Sequence, residues 1–264
     1  MQKVINELFV HTSGNEKHKP IIFVHGFPYD HTMWENQIAE FSKNYYCVTY
    51  DIRGLGQSPA GNGQFTMESF VDDLEIIIDD LKLEKPILCG LSMGGYISLR
   101  ALERFGERFS AAILCDTRSE ADNNEGKLKR AAGIKRIKTE GLSPFAKDFI
   151  TNCFGDYFKE NNKDELDKII ASSSQFNPAG VTGSLFAMLS RTDTTLSLGK
   201  IIIPTLIICG EQDMLTPPAV MKDMFHKINK SEFIEIKDAG HMTPIEKPEE
   251  VNSAIGNFLN QLNN

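Results

Sequence analysis

The segment Gly90-Leu91-Ser92-Met93-Gly94-Gly95 constrains the fold of this chain more than any other feature of its sequence. It follows an apolar run, residues 86–89, and precedes a stretch of helical character that extends to about residue 104. Glycines on both sides of Ser92 are typical of a sharp turn from a strand into a helix, because a Cβ there would collide where the two elements approach. The alternative is a glycine-rich turn that carries a solvated serine. The preceding apolar run favours the first interpretation, so we predict that Ser92 lies on a strained turn at the carboxyl end of a strand.

Short, continuous apolar runs recur along the chain and alternate with helical stretches. Runs without polar alternation are typical of strands that are covered on both faces, as in parallel sheets. They occupy residues 20–24, 45–50, 86–91, 111–115 and 202–209. This order predicts an α/β fold with a doubly wound, mostly parallel sheet. Residues 7–12 are assigned to an antiparallel edge strand.

Two of the predicted helices have recognisable first turns. Apolar residues between positions 67 and 81 fall on one helical stripe. Thr66 precedes them as a suitable N-cap, and Phe65 and Phe70 have the spacing of a hydrophobic staple. The last helix is predicted to begin at Pro248, because two acidic residues follow it, where the helix dipole favours negative charge.

The regular alternation stops between about residues 116 and 199. The connection is roughly 80 residues long, whereas a plain connection in such folds has about 2–6. It contains six phenylalanines, at positions 145, 149, 154, 158, 176 and 186. We therefore predict a core formed by residues 1–116 and 200–264 and an inserted helical cap formed by residues 117–199.

The charge and cysteine content of the chain exclude several classes of function. A formal charge of −8 argues against binding to nucleic acid or to anionic membranes, which needs clustered Lys and Arg. Residues 1–20 lack the apolar core of a signal peptide, and the run 201–209 is too short to span a bilayer, so a cytoplasmic protein is expected. The five cysteines are odd in number and have no CxxC spacing, which predicts buried thiols and no zinc site. No metal and no cofactor are predicted.

A serine nucleophile needs a histidine base, and the base needs a carboxylate that holds its tautomer. His241 lies in the loop after the predicted strand 232–236 and is the candidate base. His25 lies too close to a strand end and is interpreted as a structural residue, and the other four histidines have the settings of surface residues.

The candidate carboxylate is Asp213, which directly follows the predicted strand ending at residue 209. Glu211 and Asp116 are the competitors for this role; Asp116 is assigned instead to capping or hinging the insertion. Asp238 is interpreted as a turn residue. The chain order Ser, Asp, His agrees with the order typical of α/β-hydrolases.

Two backbone amides are candidate donors to a developing oxyanion. The turn at Ser92 aims the Met93 N–H, supported by a helix N-terminus, at that position. The loop His25-Gly26-Phe27-Pro28 follows another predicted strand and offers the Phe27 N–H as the second donor. The segment 51–58 has only two glycines at GxG spacing and no following helix, so a structural turn is a better interpretation than a dinucleotide site.

The chain resembles the α/β-hydrolase superfamily in five segments, which read HGFP, DIRGLGQS, GLSMGG, GEQD and DAGHM. The likeness runs from about residue 20 to the C-terminus. More narrowly, the chain is similar to the small-esterase group that includes 3-oxoadipate enol-lactonases and cofactor-free haloperoxidase esterases. The resemblance implies a cap over the active site, which matches the insertion near residues 117–199.

The resemblance also implies roles for individual residues. Ser92 corresponds to the nucleophile, Asp213 to the acid and His241 to the base, and the amides of Phe27 and Met93 correspond to the oxyanion hole. Haloalkane dehalogenases and epoxide hydrolases of this fold carry Asp at the nucleophile position, so the serine argues against both reactions.

The expected reaction is two-step acyl transfer on a small-molecule ester or lactone. Trp34 and the phenylalanines of the insertion are candidate walls of an apolar pocket, although each phenylalanine also fits the insertion's own core. A dicarboxylate lactone needs a cation in the pocket, and Arg118, Arg191 and Lys247 are available. Thioesters, carbon–carbon bonds and a receptor role with vestigial hydrolysis stay open, and so does the oligomeric state.

Overall fold

The computed structural model describes residues 1–262 and is built around one eight-stranded sheet. The strands are β1 (Gln2–Ile5), β2 (Leu8–Ser13), β3 (Pro20–Val24), β4 (Tyr46–Tyr50), β5 (Ile87–Leu91), β6 (Ala111–Cys115), β7 (Thr205–Gly210) and β8 (Ser231–Ile236). Every residue of β4, β5, β6 and β7 is buried. The continuous apolar runs therefore predicted strands that are covered on both faces.

The order of strands across the sheet is β1-β2-β4-β3-β5-β6-β7-β8. The pairs from β4 to β8 are parallel, and the predicted doubly wound, mostly parallel sheet is confirmed. Residues 7–12 do form an antiparallel strand, but the prediction that it lies at the edge is wrong. The four-residue segment Gln2–Ile5, which sequence patterning did not identify, pairs outside it as β1.

The helices lie between the strands and after the last one. They are α1 (Glu35–Phe41), α2 (Met67–Asp80), α3 (Met93–Phe105), α4 (Asn124–Glu140), α5 (Leu142–Cys153), α6 (Asp156–Asn161), α7 (Lys163–Ser173), α8 (Pro178–Leu189), α9 (Pro218–Lys227), α10 (Thr243–Glu246) and α11 (Pro248–Leu262). Three short 3-10 turns complete the set, His31–Trp34, Gly106–Arg108 and Thr195–Lys200.

Local sequence signals explain where two of these helices begin. The Thr66 side chain accepts the Ser69 N–H at 3.2 Å, and the Phe65 and Phe70 rings pack with centroids 5.7 Å apart, as the cap and staple predicted. Helix α11 begins at Pro248, also as predicted. Its buried residues recur at helical spacing and cover the sheet.

The connection between β6 and β7 contains five α-helices, α4 to α8, whereas each other connection between parallel strands contains one. Three of its six phenylalanines are buried, Phe145, Phe154 and Phe158, and Phe186 is exposed. The helical content agrees with the expected cap, and the division at residues 117 and 199 stays a prediction.

The parallel register places the loops that follow β3, β5, β6 and β7 along one edge of the sheet. This is the edge where ligands bind in open α/β sheets. Within residues 1–262, no helix combines the length and the apolar character needed to cross a membrane.

Candidate active site

The turn from β5 into α3 holds Ser92 in a backbone conformation that L-residues rarely adopt. Its φ is +53° and its ψ is −112°, and its N–H donates to the carbonyl of Cys115 at 3.0 Å. A Cβ on Gly94 would overlap the carbonyl oxygen of Val24, and one on Gly90 would lie 2.5 Å from the carbonyl oxygen of Gly94. The two glycines therefore permit the close approach of strand and helix that exposes the serine hydroxyl.

Ser92, His241 and Asp213 are joined by two hydrogen bonds of equal length. The Ser92 Oγ lies 2.8 Å from Nε2 of His241, and Nδ1 of His241 lies 2.8 Å from Oδ2 of Asp213. In this network Nδ1 carries a proton that it donates to the carboxylate, which leaves Nε2 free to accept the hydroxyl proton. His241 is 4% exposed and Asp213 is 2% exposed, so little water competes for either bond.

Four hydrogen bonds fix the carboxylate of Asp213. Oδ1 accepts the N–H groups of Leu215 and Thr216 at 2.8 and 2.9 Å, and Oδ2 accepts the Thr216 hydroxyl at 2.6 Å in addition to the histidine. Burial alone would raise the pKa of Asp213, but the charge of His241 and these bonds lower that pKa to about 2. The group is therefore an anion that accepts the Nδ1 proton of the imidazole and holds the ring in place.

The competing carboxylates lie in other settings. Asp116 is fully buried after β6, where Oδ1 accepts the Gly210 N–H at 2.9 Å and Oδ2 lies 2.5 Å from the Thr243 hydroxyl. Burial and the nearby charge of Asp213 raise the pKa of Asp116 well above its usual range. Glu211 is exposed and accepts the Asp238 N–H at 3.1 Å, and Asp238 has the positive φ of a turn residue.

The two amides predicted as oxyanion donors belong to Met93, directly after Ser92, and to Phe27, in the loop after β3, and their role stays a prediction. Met93 is the first residue of α3, where N–H groups have no partner within the helix. Phe27 follows β3, the strand next to β5, and its ring lines the same cavity as Ser92. His25 is fully buried; its Nε2 accepts the Ile52 N–H at 2.9 Å, which agrees with the structural role expected for it.

A cavity of about 310 Å³ opens over Ser92 and His241. Its apolar wall is formed by Phe27, Tyr96, Phe145, Phe149, Leu185, Met188 and Leu215. Phe149 lies edge-on to Phe27 with ring centroids 5.3 Å apart, so α5 contacts the predicted oxyanion loop directly. The size and lining suit a small substrate with an apolar group.

The cavity lining also contains four charged residues, Arg118, Asp122, Lys129 and Arg130. Asp122 forms ion pairs with both Arg130 and Arg191, and Lys129 pairs with Glu125, which lies outside the cavity, at 2.7 Å. When Arg118 is counted with these paired groups, positive side chains outnumber negative ones in and around the cavity. The cavity therefore differs in sign from the protein as a whole.

Arg118 differs from the other basic residues of the cavity because no acidic side chain among residues 1–262 forms an ion pair with it. Its Nη2 donates to the Leu215 carbonyl at 3.0 Å, and its Nε is buried without a partner. Of the other predicted cations, Arg191 is buried over the Tyr96 ring and Lys247 lies 4.2 Å from the Tyr157 ring centroid. Arg118 is the predicted cation that the structure brings to Ser92.

The structure does not place Trp34 at the cavity, and that prediction is wrong. The indole is fully buried, and its ring packs against Phe23 of β3 with centroids 5.2 Å apart. The 3-10 turn His31–Trp34 directs the side chain into the core beneath the sheet edge. Proximity in sequence to the HGFP segment was therefore a misleading guide.

Within residues 1–262, two groups of side chains bring potential metal ligands within 4.8 Å of one another, Asp30–His31–Asp51 and Asp116–Cys209–Asp213. Hydrogen bonds already engage them: His31 Nδ1 bonds to Asp51 at 2.7 Å, and Asp116 and Asp213 are bonded as described above. The segment 51–58 forms a loop, in which Gln57 donates its N–H to Asp51.

Sequence reasoning missed two contributors to the site, Thr216 and Glu246. Thr216 donates to the carboxylate of Asp213, and its position three residues later in a turn was the available signal. Glu246 bonds to backbone N–H groups on both sides of His241. Its acceptor role depends on the path of the backbone, which no local pattern specifies.

Comparison with known proteins agrees with this geometry. The family described as "alpha/beta hydrolase fold" matches residues 19–248. 3-oxoadipate enol-lactonase 1 of Acinetobacter baylyi is 31% identical over 255 residues, which cover 97% of this chain and 94% of that protein. A thermophilic esterase from Thermogutta terrifontis superimposes with a TM-score of 0.93 at 33% identity, covering 99% of both chains. The enol-lactonase from Burkholderia xenovorans gives a TM-score of 0.90 at 26% identity, covering 98% of this chain and 100% of that one.

Proposed function

The chain belongs to the alpha/beta hydrolase fold family, and on that premise we propose that it is a serine hydrolase that cleaves a carboxylic ester through an acyl-enzyme on Ser92. One observation carries the proposal. The 2.8 Å bonds from Ser92 to His241 and from His241 to Asp213 form an uninterrupted chain, and Ser92 and His241 line a cavity with an apolar wall.

In the first step, Ser92 Oγ attacks the ester carbonyl as its proton passes to Nε2 of His241. The carbonyl oxygen becomes an oxyanion, which the N–H groups of Phe27 and Met93 stabilise by hydrogen bonds. The protonated His241 then gives its proton to the leaving alkoxide as the C–O bond breaks, and an acyl ester on Ser92 remains.

In the second step, water enters in place of the alcohol. His241 removes a proton from this water as its oxygen attacks the acyl carbon, and collapse of the tetrahedral intermediate returns the proton to Ser92 Oγ. Asp213 stays ionised throughout, and its four hydrogen bonds support this role.

A second candidate substrate is an ester or lactone that carries a free carboxylate. Arg118 favours it, because its guanidinium lines the cavity without an acidic partner among the described residues. The relatives named as enol-lactonases make a lactone of this kind a reasonable probe. The phenylalanine-lined wall favours a neutral apolar acyl group, so the two candidates make opposite demands on one cavity.

The test is hydrolysis of p-nitrophenyl esters from acetate to octanoate, with Ser92→Ala as the control. We expect measurable turnover that Ser92→Ala lowers by a factor on the order of 10⁶ in kcat. Turnover that Ser92→Ala leaves unchanged would contradict the acyl-enzyme. Tight, saturable binding without turnover would favour a receptor with vestigial hydrolysis instead.

A further inference from the structure

Glu246 is a buried carboxylate that the reaction above does not use. It ends the short helix α10, five residues after His241, and is 7% exposed. Oε1 accepts the N–H groups of Gly240 and Met242, both at 3.0 Å, and these residues flank the histidine. Oε2 accepts the N–H of Gly155 at 2.8 Å, from the segment between α5 and α6.

All three partners of this carboxylate are backbone N–H donors, and together they need both carboxylate oxygens as acceptors. A neutral carboxylic acid or an amide would direct a proton at one of these N–H groups and leave that donor without an acceptor. Burial raises the pKa of Glu246, and the bonds from the three N–H groups oppose that increase. The three hydrogen bonds therefore depend on both carboxylate oxygens of Glu246 and on its negative charge.

The segment 153–156 also contacts both catalytic loops directly. The N–H of His241 donates to the Cys153 carbonyl at 2.7 Å, and the N–H of Asp156 donates to Gln212, next to Asp213, at 3.1 Å. A Cβ on Gly240 would overlap the Gly155 nitrogen, so the two backbones lie in contact. The loop that holds the base therefore packs against the end of α5 without space for a side chain between them.

The same helix forms part of the cavity wall. Phe145 and Phe149 of α5 line the cavity, and both rings contact Phe27 on the predicted oxyanion loop. One helix thus contacts the oxyanion loop through its rings and the base loop through its C-terminal carbonyl and the residues that follow. The Glu246 side chain bonds to Gly155, in the segment that follows α5, and to Gly240 and Met242 in the base loop.

We propose that Glu246 is a positioning residue, which holds His241 toward Ser92 and couples the base to the cavity wall on α5. Displacement of Phe145 and Phe149 by a bound substrate is then transmitted to the base loop through the Gly155–Glu246 bond. The kinetic consequence rests on the proposed function, whereas the coupling of the two segments is a property of the unliganded protein.

The variant that tests the coupling is Glu246→Gln, which keeps the shape and replaces one acceptor oxygen with a donor. Glu249→Gln is the matched control, because it removes an exposed carboxylate from the first turn of α11. In Glu246→Gln we expect amide hydrogen exchange to accelerate about tenfold or more in both 153–156 and 240–242, with β5 and β6 unchanged. Acceleration in one of the segments only, or across the whole protein, would overturn the coupling.

The kinetic readout separates positioning from general weakening of the fold. For p-nitrophenyl acetate, Glu246→Gln should lower kcat by about 10- to 100-fold while KM changes by less than about twofold. A rise in KM at constant kcat would contradict a role in orienting the base. If wild-type protein hydrolyses no ester, the proposed function fails, and the exchange experiment still decides the coupling.

A measurement on the wild-type protein keeps the proposal testable even if Glu246→Gln does not fold. The amides of Gly155, Gly240 and Met242 share one carboxylate, so we expect them to open together and to show exchange protection equal within about threefold. Protection that differs by more than about tenfold between Gly155 and Met242 would show that the two segments open independently, and it would overturn the proposal.

Discussion

The carboxyl edge of the sheet and the helical region between β6 and β7 build the site in different ways. At the sheet edge, backbone geometry fixes the reactive groups: Ser92 by a strained turn, and Asp213 by bonds from main-chain N–H groups. In the helical region, residues of α4, α5, α8 and the loop before α4 form most of the cavity wall. Under the proposed function, the sheet edge therefore supplies the reacting groups, and the helical region contacts the substrate.

The difference follows from the range of the interactions involved. The two glycines of the turn at Ser92 lie within two residues of it in the sequence, although the position of Gly94 also faces the carbonyl oxygen of Val24 on β3. A cavity wall needs residues brought together from distant positions, such as Gly126, Phe145 and Leu185, by the packing of whole helices. Chemistry that depends on short sequence segments is therefore easier to recognise than specificity.

The largest expected effect separates two carboxylates at the sheet edge. Asp213→Asn should lower kcat by a factor of about 10⁴, because the amide no longer fixes the tautomer of His241 or stabilises its charge. Asp116→Asn should change kcat by less than about tenfold, since the pKa of Asp116 is raised and an amide matches the neutral acid. Steady-state kinetics with p-nitrophenyl acetate measures both. Equal losses in the two variants would show that Asp116 carries part of the role assigned to Asp213.

Substitutions of Trp34 and Phe149 test which of these side chains belongs to the core and which to the cavity wall. Trp34→Ala should lower the free energy of unfolding by about 3–5 kcal/mol, because a fully buried indole leaves a cavity in the core. Its KM for p-nitrophenyl esters should stay unchanged. Phe149→Ala removes a half-buried ring from the cavity wall, so it should instead change how KM depends on the length of the acyl chain. Denaturant unfolding and a chain-length series measure the two effects, and a selectivity change in Trp34→Ala would contradict the separation.

Arg118 provides a smaller effect that concerns substrate charge. For a p-nitrophenyl ester with a terminal carboxylate, Arg118→Gln should lower kcat/KM by about 10- to 100-fold, the loss of a charge-assisted hydrogen bond. The uncharged ester of equal length should lose less than about threefold. Lys129→Gln is the matched control, because that lysine lines the cavity but is exposed and already paired with Glu125. Equal losses on both esters would refute a carboxylate subsite.

The smallest effect concerns acid stability. The pKa of Asp213 is lowered to about 2 from its ordinary value of 3.8, so its stabilising contribution is complete above about pH 4 and is lost as the pH falls toward 2. This contribution is about 2 kcal/mol. The stability advantage of wild type over Asp213→Asn should therefore shrink by this amount between about pH 6 and pH 2. Denaturant unfolding at several pH values measures it, and a constant difference would contradict the lowered pKa.

The sequence predicted the parts of the molecule that depend on local patterns. The buried strands, the N-cap Thr66 and the start of α11 agree with the structure. The structure also brings Ser92, Asp213 and His241 within hydrogen-bonding distance, and their catalytic roles stay predictions.

Other features depend on contacts between distant residues. Strand β1 has only four residues, too few to show a strand pattern, and forms by pairing with β2. Trp34 was assigned to the cavity because of its sequence neighbours, but the direction of its side chain depends on the 3-10 turn. Glu246 acts on backbone groups 91 residues away in the chain, and no pattern in its own segment indicates that contact.

The central claim is that Ser92 forms a covalent intermediate, and covalent labelling tests it most directly. The protein is incubated with diethyl p-nitrophenyl phosphate, and intact mass and peptide mapping are recorded for wild type and Ser92→Ala. We predict one diethylphosphoryl group per chain, located on Ser92, with release of one equivalent of p-nitrophenol and no adduct in Ser92→Ala. An adduct on another residue, or none in a preparation that hydrolyses esters, would contradict the account.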